Sequence, residues 1–268
     1  MLFLLLLFSL LFSLCEAEQI VTLFVHGIAD SQAQGAPFKD MMPGPFESFD
    51  FDDSTNHFWR LNVSASSLGQ KNEIKKIAQE WQRINRKFPH ADGFILIGIS
   101  RGASALINFV ATHKPKKVKA LILDSPFDSI ESLIKHQVDK LHLPKKIVRT
   151  GFACMFWKLN FKGIFPIKVI RHIHEDIPIL FLTIEDDHLV PNYSTQNLIK
   201  ERQECGYQNM YHIHLMHGRH GKLLLGPDTE TYKQAIHAFF AQHSIPYNET
   251  YAQKGKNLLK FNTKGAFS

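Results

Sequence analysis

The stretch from Phe94 to Ala111 narrows the possible folds more than any other part of the chain. An apolar run, FILIGI (94–99), ends at Ser100 between Gly98 and Gly102, and a repeat of Ala103, Leu106, Ile107, Val110 and Ala111 begins at once. The run is continuous and rich in β-branched residues, as in a strand covered on both faces. The repeat has helical period. Gly98-Ile99-Ser100-Arg101-Gly102 thus matches G-x-S-x-G in a strand–turn–helix setting. There the turn holds the serine in a strained conformation and lifts its hydroxyl above the sheet edge. Flanking glycines leave room for strand and helix to crowd around it, and the helix N-terminus favours developing negative charge. The competing reading is an ordinary strand-to-helix turn with Ser100 as N-cap.

Similar runs recur at IVTLFV (20–25), FWRLNV (58–63, weaker), VKALIL (118–123), IPILFLTI (177–184) and YHIHLM (211–216). Helical faces lie between or after them: Ile74, Ile77, Ala78, Trp81 and Ile84 form one, and Tyr232, Ala235, Ile236, Phe239 and Phe240 another. Strands alternating with helices predict an α/β fold, a mostly parallel sheet of about six strands flanked by helices. Residues 28–57 show no clear period and read as one long loop. Residues 126–176 lack a good strand and read as short helices forming a small cap. The polar tail from about residue 252 is expected to fray.

With 44% apolar residues, 268 residues suffice for a sizeable core. The formal charge of +6 is scattered, and no basic groove or nucleic-acid motif appears, which argues against nucleic-acid binding. Residues 1–17, MLFLLLLFSLLFSLCEA, have the apolar run and small-residue end of a signal peptide, though without a basic start. Export to a secreted or periplasmic location follows as an expectation, leaving 18–268 as the folded domain. Cys154 and Cys205 then remain, either paired or as two buried thiols.

A serine hydroxyl needs a base to take its proton. His220, in a Gly-flanked loop after the last strand-like run, is the first candidate and His217 its competitor. His212 and His214 alternate along a strand and fit its more polar side. The base needs a carboxylate to orient it. Glu185, Asp186 and Asp187 follow one buried run and Asp124 ends another, so the residues alone leave the acid open. The pattern requires no cofactor, and no metal-ligand motif is present.

FVHG (24–27), GISRG (98–102), DDHLVP (186–191) and RHG (219–221) occur in the order found in the α/β-hydrolase family, which the chain resembles over about residues 20–241. The resemblance implies Ser100 as nucleophile, Asp187 as acid and His220 as base. It also implies an oxyanion hole formed by the backbone N–H groups of Ile28 and Arg101. The Arg101 side chain is free either to hold a substrate anion or to pair with a loop acid such as Asp30, the latter preferred.

In the cap, Phe152, Phe156 and Trp157 interleave with Arg149, Lys158 and Lys162, a mix suited to aromatics that simply pack on the core, to an acyl pocket or to peripheral membrane contact. The expected activity is that of a serine esterase, thioesterase or lipase on a small-molecule or lipid acyl ester. The alternatives are a serine peptidase of the same fold and an inactive, binding member.

Overall fold

The computed structural model describes residues 19–53, 68–140 and 163–260. Its elements are, in order, β1 (Ile20–Val25), β2 (Phe46–Ser48), α1 (Lys71–Lys87), β3 (Gly93–Ile99), α2 (Arg101–His113), β4 (Val118–Asp124), α3 (Ile130–Lys140), α4 (Pro166–Val169), β5 (Ile179–Ile184), α5 (Asn192–Gln203), β6 (Met210–Leu215), α6 (Thr229–Gln242) and α7 (Glu249–Lys260).

The apolar runs are continuous because both sheet faces are covered. Along β3, Ile95, Ile97 and Ile99 join Phe24, Ile122, Leu182 and Phe239 in one core, on the side of α6 and α7. Phe94 and Leu96 join Leu23, Phe181, Ile77 and Leu106 in the other, beneath α1 and α2. Along β1, β3 and β5 no polar face remains to break the hydrophobic pattern.

The sheet has six strands in the order β2-β1-β3-β4-β5-β6, every pair parallel. The chain leaves β1 to lay β2 on one side of it and returns to lay β3 on the other. The strand order therefore reverses between β1 and β3, whose carboxyl ends lead into Gly27 and Ser100. Open parallel sheets bind ligands at such a switch point.

Two expectations change. Residues 28–57 are not all loop: a 3₁₀ segment covers Gln32–Met41, and Phe46–Ser48 pairs with β1 as the edge strand. A strand of three residues is too short to show a period. The tail does not fray from residue 252: α7 packs along α6, with Ala252 and Leu259 buried. In the cap region, α3, α4 and the 3₁₀ turn Ile170–His172 are helical. Residues 1–17, the run 58–63, Cys154 and the cap side chains Phe152, Phe156 and Trp157 lie outside the described residues. Cys205 is an exposed free thiol.

Candidate active site

Ser100 sits between β3 and α2 at φ 53° and ψ −114°, a strained conformation for a residue with a side chain. It makes no side-chain capping bond, so the N-cap reading fails. The turn is tied down by its backbone: Ser100 N–H donates to the Asp124 carbonyl at 2.7 Å, and Ser104 N–H to the Ser100 carbonyl at 3.0 Å. The glycines are needed for space. A Cβ on Gly98 would stand 2.6 Å from the Ala103 backbone, and one on Gly102 would strike the Val25 carbonyl.

His220 follows β6, and its Nδ1 lies 2.7 Å from Asp187 Oδ2. Asp187, after β5, is 7% exposed, and its other oxygen accepts the N–H groups of Leu189 and Val190, each at 2.9 Å. Burial tends to raise the Asp187 carboxyl, but the hydrogen bond and charge of His220 and the two N–H donors outweigh it and hold its pKa below the ordinary 3.8. An ionised Asp187 accepts from Nδ1–H, which leaves Nε2 of His220 as the acceptor. A Cβ built on Gly221 would touch Ile99 Cγ2 at 3.6 Å, so the residue after His220 packs on the residue before Ser100.

Among the candidate acids, Asp187 is the one hydrogen-bonded to His220. Asp124 is fully buried at the end of β4 and accepts from the Tyr232 hydroxyl at 3.1 Å. Burial pushes its pKa from 3.8 up to about 7, although the His220 charge pulls the other way. Glu185 pairs instead with His214, which shares Thr183 Oγ1 with His212 at 2.9 and 2.8 Å. His217 is largely exposed and faces Asp228 at 3.5 Å, away from Asp187.

Arg101 is fully buried and meets neither Asp30 nor solvent. Its guanidinium pairs with Asp53, lies 3.5 Å from Glu73 and stacks 4.6 Å from the Phe51 ring centre. The preferred type of partner was right but its identity was wrong, because Asp53 and Glu73 reach Arg101 only through the fold.

Arg101 Nη2 also donates to the Gly27 carbonyl at 3.1 Å. The same oxygen lies 2.7 Å from His26 Nδ1, while His26 Nε2 accepts Phe51 N–H at 3.3 Å, which places the ring proton on Nδ1. Burial, then the Arg101 charge, lowers the His26 pKa to about 4, so the ring is neutral. A trans peptide points its carbonyl and its N–H in opposite directions. With the Gly27 carbonyl anchored on Arg101 and His26, Ile28 N–H is turned away from that network.

Gln34 was not anticipated, and its loop carries no sequence signal for it. Its Oε1 accepts Gly27 N–H at 2.8 Å and its Nε2 donates to the Gly221 carbonyl at 2.9 Å. It also lines a cavity of about 230 Å³ with Phe38, Ile99, Asp124, Leu223 and Leu224.

No protein family and no curated protein matches the chain. Solved structures do. An esterase of Pyrococcus furiosus is 18% identical over 85% of this chain and 83% of its own, with a TM-score of 0.62. A monoacylglycerol lipase of Paleococcus ferrophilus is 14% identical over 83% and 94%, with a TM-score of 0.55. The acylaminoacyl peptidase of Pyrococcus horikoshii is 16% identical over 88% of this chain but only 39% of its own, with a TM-score of 0.58. The chain has the α/β-hydrolase fold.

Proposed function

We propose that the protein is a serine hydrolase that cleaves carboxylic ester or thioester bonds through an acyl-enzyme. The observation that carries this reading is the 2.7 Å contact between His220 Nδ1 and Asp187 Oδ2, in a loop whose Gly221 packs on Ile99, the residue before an uncapped serine at positive φ. In the proposed reaction Ser100 Oγ attacks the acyl carbonyl while His220 Nε2 takes its proton. Asp187 holds the imidazole and stabilises the cation that forms. The negative charge developing on the acyl oxygen meets the N–H groups of Ile28 and Arg101, the latter in the first turn of α2, where N–H groups lack helical partners. Each such donor contributes about 3 kcal/mol to the transition state. His220 then gives the proton to the leaving alcohol or thiol, and water, deprotonated by the same imidazole, releases the acid and restores Ser100.

An apolar acyl group suits the surroundings. Leu189, Tyr193, Met216 and Leu225 are exposed on the segments that follow β5 and β6. Acyl binding by Phe152, Phe156 and Trp157, membrane contact through residues 149–168 and export through residues 1–17 belong to the same proposal and rest on the sequence. Labelling by a fluorophosphonate tests the chemistry. Ser100 is expected to take the label and Ser100→Ala to lose it, with turnover on an ester and thioester panel lost in parallel. A folded parent that neither labels nor turns over any ester, thioester or anilide refutes it.

A further inference from the structure

The Gln34 amide reaches 187 positions along the chain to Gly221 and also holds Gly27, so it joins two loops at the two residues that flank the proposed chemistry. Gly27 immediately precedes Ile28, and Gly221 immediately follows His220. The hydrogen bonds fix which way the amide faces. The amide meets the N–H of Gly27 and the carbonyl of Gly221, so Oε1 faces the first and Nε2 the second. Gly221 itself is at φ +70°, and a Cβ there would stand 3.2 Å from Gln34 Nε2. That spot is kept open for the amide.

We propose that Gln34 is a positioning residue that sets the oxyanion loop and the histidine loop in register across the catalytic serine. This rests on the hydrolase reading above. Gln34 is half-buried, so water can replace its amide when it is removed. Its loss therefore loosens the geometry more than it destabilises the fold. Misplacing catalytic groups by about 1 Å costs on the order of a hundredfold in rate.

The test uses the full chain, its parent form, Gln34→Ala and Gln34→Glu, assayed on one ester for kcat and KM from pH 5.5 to 8 and by fluorophosphonate labelling. Gln34→Ala is expected to lower kcat roughly 10- to 100-fold and to leave KM within about threefold, in proportion at every pH. Gln34→Glu, of the same shape, keeps the acceptor for Gly27 N–H but sets an anion against the Gly221 carbonyl. Protonation restores the donor, so its kcat relative to the parent rises as pH falls. A purely structural role gives no such trend. Should Gln34→Ala fail to fold, the Gln34→Glu profile decides alone. An active parent with Gln34→Ala at parental kcat, or a flat Gln34→Glu ratio, overturns the proposal and leaves the hydrolase reading standing. An unlabelled, inactive parent overturns both.

Discussion

Replacing Asp124 by Asn tests how the buried end of β4 is built. The carboxyl has no access to solvent, and the Tyr232 hydroxyl donates to it at 3.1 Å. Burial raises its pKa from 3.8 to about 7; Asp187 adds to the rise, while the His220 charge and the Tyr232 hydrogen bond oppose it. Between those two values the folded protein holds a proton that the unfolded chain releases. Stability therefore falls as pH climbs through the window and levels off above it. A shift of this size corresponds to about 4 kcal/mol at pH 8. Asn keeps the shape and cannot ionise. Urea unfolding should place Asp124→Asn within about 1 kcal/mol of the parent at pH 4 and make it more stable by up to about 4 kcal/mol at pH 8. The variant should also keep kcat within about threefold, since Asp187 holds His220. Parallel stability curves, or a variant weaker at pH 8, would show that burial does not dominate this site.

Asp187→Asn should lower kcat by about 10⁴-fold with its melting temperature little changed, because an amide cannot hold Nδ1–H of His220 in the working tautomer. His217→Ala, at an exposed residue, should stay within about threefold of the parent in the same kinetic assay. Arg101→Met leaves Asp53 and Glu73 buried without their guanidinium and should cost about 3–5 kcal/mol, read as a melting point lower by roughly 10 °C in circular dichroism. Gly102→Ala drives a methyl into the Val25 carbonyl and should abolish soluble, cooperatively melting protein.

What was legible in the sequence was local. Gly98, Ser100 and Gly102 announce the turn because close approach of backbones leaves a fixed spacing of small residues. The buried strands show themselves because two covered faces remove the polar alternation. The residues alone did not choose between Asp124 and Asp187, which both lie past buried runs on adjacent strands; the family resemblance named Asp187, and the turn through Leu189 and Val190 holds it against His220. The partners of Arg101 were hidden for a similar reason. Asp53 lies 48 positions away, and Glu73 sits on a helix whose charged residues read as a solvated face. Helix α7 was missed because Gly255 weakens its helical signal. That glycine is what lets α7 approach the Gln234 carbonyl of α6. Gln34 left no trace at all, because its importance lies wholly in what two distant loops present to it.

The Arg101 side chain has a geometric consequence for the proposed oxyanion hole. One residue contributes a donor from its own main chain and, through its guanidinium, anchors the peptide plane that bears the other. The gap between the two donors is thus gauged by the reach of a single buried cation. Lysine would carry the same charge but a rounder head and a different length, and so would set a different gap.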